Sequence, residues 1–151
     1  MEVRLRVIKT KVYDEVAKTT SYTGAKMVGD EDAYERIYTT DEDQQMLERF
    51  WSEGKILLCE GLKKVLISET ESDEGVYEFR LQPSVAFDRA LEDSMQRSLF
   101  SFFVMHITSK WYALSNKTEA ASYATEATVF LEDIKRKAFF KKKPTRPIYD
   151  N

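Results

Sequence analysis

Residues 99–114, LFSFFVMHITSKWYAL, form the longest apolar-rich stretch of the chain and decide its fold. Apolar side chains recur there at every third or fourth position, which is the spacing of one face of an α-helix. The apolar arc is wide, because adjacent residues such as Phe102 and Phe103 both contribute to it. We therefore predict a central, deeply buried helix. His106 and Lys110 interrupt the stretch, which is too short to span a bilayer, so no membrane contact is expected.

The pattern around this stretch predicts two consecutive helices. The central helix is expected over about 85–115, with Ser84 as its N-cap. Its predicted core-facing residues are Phe87, Leu91, Met95, Leu99, Phe102, Phe103, His106, Ile107, Trp111 and Leu114. Asn116 ends this helix and caps the last one, with Glu119 at the capping-box position, and the last helix is expected to continue to about Phe140. Its predicted inward residues are Ala120, Tyr123, Ala124, Ala127, Phe130, Leu131, Ile134 and Ala138, whose small members favour close antiparallel packing.

A third long helix is predicted upstream, from Thr40 as its N-cap through Leu66. Its apolar residues continue at three- to four-residue spacing, and Gly54 and Gly61 interrupt them. The two glycines lie on nearly one face, so they either allow another helix to approach closely or are simply tolerated. Simple tolerance costs about 1 kcal/mol for each glycine in a helix interior.

The N-terminal half adds a shorter helix and two strands. Residues 3–7 and 77–81 each alternate apolar and charged side chains, which predicts two half-buried strands that pair with each other. A helix is expected over about 11–26, and residues 69–75 are acidic and turn-forming. The predicted fold is mostly α with minor β: a bundle of three long helices plus one shorter helix, with a small two-stranded element.

This bundle is expected to form one domain over residues 1–140, followed by an extended basic tail at 141–151. Pro144 and Pro147 prevent the last helix from continuing through the tail. Seven basic side chains and one acidic side chain fall within residues 135–151, which gives this end a formal charge of +6 and leaves −9 on the preceding 134 residues. An acidic body with a basic end suggests a binding partner.

The sequence offers little for catalysis, so we predict a protein that is not an enzyme and holds no cofactor or metal. Nucleophile-elbow, phosphate-loop, dinucleotide-binding and zinc-binding patterns are absent. Cys59 and His106, the chain's one cysteine and one histidine, both fall on apolar helix stripes. A buried structural thiol and a core histidine are therefore expected instead of a nucleophile–base pair. A site of dispersed carboxylates is the remaining enzymatic alternative.

Three interpretations of the basic tail compete: a solvated tail, a peptide arm that docks on a neighbouring subunit, or a nucleic-acid contact. The apolar pair Ile148-Tyr149 favours docking, because a tail that only keeps the protein in solution needs no apolar anchor. The acidic body disfavours nucleic acid, and a few phosphate contacts give only salt-sensitive affinity. The residues predicted to contact a partner are Lys141, Lys142, Lys143, Arg146, Ile148 and Tyr149.

The helical body over 40–140 and the tail over 141–151 together resemble the small head–tail connector (adaptor) proteins of tailed bacteriophages and prophages. The resemblance implies a ring of identical subunits bound to a portal protein, with the terminal arm inserted into a neighbouring protein. We therefore expect a non-enzymatic structural or assembly subunit, homo-oligomeric in its assembly. The opening residues lack the apolar segment of a signal peptide, which favours a cytoplasmic or virion-associated location. The alternative is a small regulatory or nucleic-acid-associated helical protein that uses the basic tail.

Overall fold

Long helices and a small antiparallel sheet make up the structure. The computed structural model describes residues 2–26, 44–85 and 87–139. The elements in chain order are β1 (Val3–Ile8), α1 (Lys9–Lys26), α2 (Gln44–Gly61), β2 (Leu66–Glu71), β3 (Val76–Leu81), a 3-10 helix (Arg89–Leu91), α3 (Glu92–Ser115) and α4 (Lys117–Ala138). The mostly helical fold with minor β structure is thus confirmed.

The predicted strand pair is present, with Leu5 opposite Phe79 in an antiparallel ladder. The sheet, however, has three strands in the order β1-β3-β2, so the expected two-stranded element was wrong. The third strand is β2, which pairs antiparallel to β3. Gly75 adopts a φ of 81°, a conformation that glycine takes without steric cost, in the tight turn between β2 and β3.

The boundaries of α2 and α3 differ from the prediction. α2 ends at Gly61 instead of continuing to residue 66, and the predicted cap Thr40 lies outside the described residues. α3 begins at Glu92, after a 3-10 turn that Asp88 caps by accepting a hydrogen bond from the Ala90 backbone at 3.0 Å. Asp88 takes the role predicted for Ser84 because the helical turn starts at Arg89, four residues later than predicted. The Ser84 backbone N–H donates instead to the Ala138 carbonyl at the end of α4.

The central position of the 99–114 helix is confirmed, since α3 packs against α1, α2, α4 and β1. At the reversal into α4, the Asn116 side chain accepts from the Glu119 backbone at 3.5 Å, as predicted. Two residues predicted to face the core are nevertheless exposed: Leu114 of α3 and Ala124 of α4. Leu114 lies in the last turn of α3, next to the reversal, where solvent reaches it. Within the described residues, no helix has both the length and the apolarity needed to cross a membrane.

The two glycines of α2 mark close helix contacts, so the close-approach interpretation holds. A β-carbon placed on Gly54 would lie 3.1 Å from a ring carbon of Phe103 and 3.3 Å from the ring of His106, both on α3. One placed on Gly61 would lie 3.4 Å from the Lys135 side chain of α4. α2 therefore contacts α3 at its middle and α4 at its C-terminal end.

Candidate protein-interaction groove

An apolar groove of about 450 Å³ runs over α3, between α2 and α4. α3 forms its floor and the other two helices form its walls. Its lining residues are Leu57, Phe102, His106, Ser109, Lys110, Ala113, Ala120, Ala121, Ala124, Ala127, Thr128 and Leu131. Small and apolar side chains predominate among them, which is the composition of a surface that receives apolar groups.

α2 presents apolar side chains to solvent, Leu57 on the wall of the groove and Ile56 in the adjoining cleft. Ile56 is 59% exposed and Leu57 is 43% exposed, whereas Trp51 and Leu58 on the same helix are buried in the core. α2 is therefore apolar on two faces, and only one of them is covered within the described residues. Uncovered apolar surface of this kind, next to a groove, is typical of protein-binding sites.

The α4 wall is a stripe of alanines in the N-terminal half of that helix. Ala120, Ala124 and Ala127 lie three or four residues apart, so they share one face. Their small side chains leave the space that larger residues would fill. The α2 and α4 walls approach closely at one end, here called the narrow end, where a β-carbon on Gly61 would lie 3.5 Å from the Leu131 side chain.

The floor contains one buried titratable group, His106, which is 4% exposed. Its ring stacks on Phe102 with the ring centroids 5.7 Å apart, and its Nε2 has no hydrogen-bond partner among the described residues. Burial, assisted by the nearby charge of Lys110, lowers the pKa of His106 to about 4. The imidazole is therefore neutral at pH 7, and Lys110 supplies the charge on the floor of the groove.

Cys59 and His106 are not brought together, because they line different clefts. The Cys59 thiol donates to the Glu69 carboxylate at 2.7 Å and lies 3.5 Å from the Tyr77 hydroxyl. Burial and the Glu69 carboxylate raise the pKa of Cys59 to about 11. The thiol was predicted to be buried and is only half-buried. It is nevertheless protonated at neutral pH and is therefore a poor nucleophile.

A polar network, here called the seam, joins α2 to α1 and the sheet. Glu71 on β2 lies 2.5 Å from Lys55 of α2 and 3.2 Å from Lys9 of α1. It also accepts a hydrogen bond from the Trp51 indole at 3.2 Å. Burial opposes ionisation of Glu71, but the hydrogen bonds from the two lysines keep its pKa below the usual value.

A basic cleft of about 410 Å³ lies beyond the narrow end of the groove, where α2 and α4 end. Lys63 and Lys64 are exposed there, after the end of α2. Lys135 and Phe139 line the same cleft from the end of α4, and Glu60 is the acidic residue among its lining residues. Part of this charge stabilises the C-terminal ends of the two helices.

The residues predicted to contact a partner, within 141–151, lie outside the described residues. The groove itself was missed at the sequence level. Its signal was the pair Ile56-Leu57, which falls off the face that Trp51 and Leu58 define on α2. A second signal was the alanine stripe of α4, which was assigned entirely to the interior.

Among the described residues, no three His, Cys, Asp or Glu side chains are grouped closely enough to hold a metal ion. Comparison with known proteins gives no guide, because no family model, curated protein or solved structure matches the chain.

Proposed function

We propose that this chain is a non-enzymatic structural subunit that binds neighbouring protein subunits, including copies of itself, in a larger assembly. The observation that carries the proposal is the apolar groove with Leu57 exposed on its α2 wall and Ile56 exposed in the adjoining cleft. Contiguous exposed apolar surface marks interaction sites in proteins that otherwise keep such side chains inside. The mostly helical body, the acidic charge and the basic tail suit the same role.

The proposed setting is a virion or prophage assembly, in which the chain acts as a connector-type subunit found in the cytoplasm or the virion. This part rests on the resemblance in plan to small head–tail connector proteins. A catalytic role is less well supported, because the Cys59 thiol has a raised pKa and lies in a different cleft from His106. Neither residue is poised for nucleophilic chemistry.

A regulatory or nucleic-acid-associated role is the second candidate, and the basic cleft favours it. Lys63 and Lys64, after the end of α2, share this cleft with Lys135 in the last turn of α4. From α4 the chain continues into the basic tail at 141–151. Together these positive charges could contact phosphates. Such binding would be strongly salt-dependent, since it would depend on counterion release from the nucleic acid.

Native mass measured by light scattering over a concentration series, at low and high salt, tests the assembly role. We expect the wild-type chain to form a defined oligomer and the Leu57→Arg variant to remain monomeric. Val129→Arg is the matched control, because Val129 is 55% exposed on α4 but does not line the groove. A wild-type chain that is monomeric at every concentration would contradict self-assembly. Retarded migration of duplex DNA that disappears at high salt would favour the second candidate.

A further inference from the structure

We propose that the groove is the site of a two-fold contact between two copies of the chain, in which the outer face of α2 of each copy packs into the groove of the other. The outer face is defined here by Glu53, Ile56, Leu57 and Glu60, which lie on one side of α2 at helical spacing. The inference rests on the proposed function and names the contact through which two subunits bind. It follows from the shape, the apolar surface and the charges of the described residues.

The projecting and receiving parts of this contact lie side by side on one surface. Ile56 is 59% exposed and Leu57 is 43% exposed, and Leu57 also lines the groove. A two-fold contact uses the same patch on both subunits, so the patch must contain both the side chains that project and the recess that receives them. A surface that binds an unrelated protein needs only one of the two. The presence of both therefore favours a second copy as the occupant.

The dimensions of the two parts agree. The α4 residues that line the groove run from Ala120 to Leu131, which is about 16 Å at a rise of 1.5 Å per residue. The outer face of α2, from Glu53 to Glu60, spans about 10 Å by the same rise. Two turns of α2 from a second copy therefore fit along the α4 wall, and the alanines of that wall leave room for its larger apolar side chains.

The charges of the two parts are complementary. Lys110 is exposed and is the one charged residue among those that line the groove, and it forms no ion pair with another described residue. The outer face of α2 carries an acidic side chain about one turn before the apolar pair and another about one turn after it, Glu53 and Glu60. Whichever way α2 of the second copy runs, a carboxylate therefore lies beside Lys110. Such pairing favours association and fixes the register of the contact.

Both carboxylates remain available to a second copy. Glu53 lies 3.4 Å from Arg49, one turn earlier on α2, and the Arg49 side chain is 70% exposed. Exposed pairs of this kind contribute little to stability, so the pair with Arg49 does not prevent Glu53 from contacting Lys110. Glu60 is exposed where it lines the basic cleft. Each contact also occurs twice in a two-fold pair, which doubles a modest attraction.

The test reverses the two charges in separate full-length chains. Lys110→Glu places like charges at both contacts of the pair, so it should raise the dissociation constant at least about tenfold. One of the two variants Glu53→Lys and Glu60→Lys should do the same, and which one it is gives the direction in which the two α2 helices run. Lys11→Glu is the matched control, because Lys11 is exposed on α1 and does not line the groove.

Mixing two variants gives the decisive measurement. When Lys110→Glu is mixed with the weakened glutamate variant, opposite charges meet again at both contacts. The mixture should therefore form a one-to-one dimer at concentrations where each variant alone is monomeric. Light scattering at low salt measures the mass, and circular dichroism checks the fold. All three positions lie outside the core and receive good helix formers, so the fold should be unchanged.

The proposal is overturned if Lys110→Glu dimerises as tightly as the wild type, if neither glutamate variant weakens the dimer, or if the mixture stays monomeric. Assembly that persists unchanged in all of these variants would leave the proposed function intact and refute only this contact. A wild-type chain that is monomeric at every concentration would contradict both.

Discussion

Replacing Gly54 with alanine tests whether α2 and α3 are packed as closely as the structure shows. The added β-carbon would lie 3.1 and 3.2 Å from two ring atoms of Phe103. Phe103 has little room to move, because it is fully buried and stacks on Trp51 with ring centroids 4.4 Å apart. Its edge-to-face contacts with Tyr77 and Phe102 restrict it further.

Two opposing effects set the size of the change. In a helix interior, alanine stabilises the fold by about 0.5–1 kcal/mol relative to glycine. Overpacking a filled core costs about 1–3 kcal/mol. We therefore expect Gly54→Ala to lower the free energy of unfolding by about 1 kcal/mol. Gly61→Ala is the matched variant on the same helix, where the new atom would meet the flexible side chain of Lys135 at 3.4 Å. That variant should be as stable as the wild type or slightly more stable.

Urea unfolding followed by circular dichroism measures both free energies, and equal slopes would show that the denatured states are comparable. The urea concentration at the unfolding midpoint should be highest for Gly61→Ala, lower for the wild type and lowest for Gly54→Ala. A Gly54→Ala midpoint above that of the wild type would refute the reasoning. It would mean that Phe103 yields to the added methyl group and that the approach of the two helices does not depend on glycine.

Three further predictions concern the titratable groups. Glu71→Gln should lower the free energy of unfolding by about 1–2 kcal/mol, since the substitution weakens hydrogen bonds from charged lysines. The stability that this carboxylate contributes should decline as pH falls through its lowered pKa. Urea unfolding would then show that the free energy of unfolding changes less between pH 7 and pH 3.5 in the variant than in the wild type. At pH 8, Cys59 should react with iodoacetamide about a hundredfold more slowly in the folded chain than in the unfolded chain, because folding raises its pKa to about 11. Equal rates would contradict the hydrogen bond from Cys59 to Glu69. In the unfolded chain His106 binds a proton below about pH 6.5, whereas in the folded chain its pKa is about 4. The free energy of unfolding should therefore fall by about 2–3 kcal/mol as the pH is lowered from about 6.5 to about 4. His106→Leu should flatten this part of the pH profile, and an unchanged profile would count against a buried neutral imidazole.

The sequence was sufficient to predict an element wherever its apolar periodicity matches the surface against which the element packs. Alternation in residues 3–7 and 77–81 predicted a strand pair that the structure contains. Asn116 and Glu119 predicted the start of α4, because a cap depends only on residues three positions apart. The wide apolar arc of 99–114 likewise predicted the most buried helix.

β2 could not be predicted because its signals are divided between distant residues. The apolar spacing of α2 continues through Leu66, which made the helix look longer than it is. Glu69 and Glu71 look like solvated acidic residues in the sequence. In the structure they bind Cys59 and Lys55 of α2, which lie 10 and 16 residues away. Only the folded chain shows that these carboxylates face other side chains.

The groove was missed for a related reason: periodicity shows which residues are apolar but not whether a neighbour covers them. Ile56 and Leu57 fit an apolar helix as well as Leu58 does, yet only Leu58 is in the core. An uncovered face and a buried face look the same in sequence. Assigning the face required knowing that α4 approaches α2 near Gly61 and leaves Leu57 exposed.

The seam explains why the groove stays open when nothing occupies it. Hydrogen bonds from α2 to Glu69 and Glu71 hold one side of the helix against the sheet, and Gly54 fixes its depth on α3. α2 therefore cannot move toward the alanine stripe to bury Ile56 and Leu57 without breaking these contacts. A groove held open in this way would receive the proposed partner without the cost of rearrangement. It follows that loosening the seam, at a distance from the groove, should weaken partner binding even though no lining residue has changed.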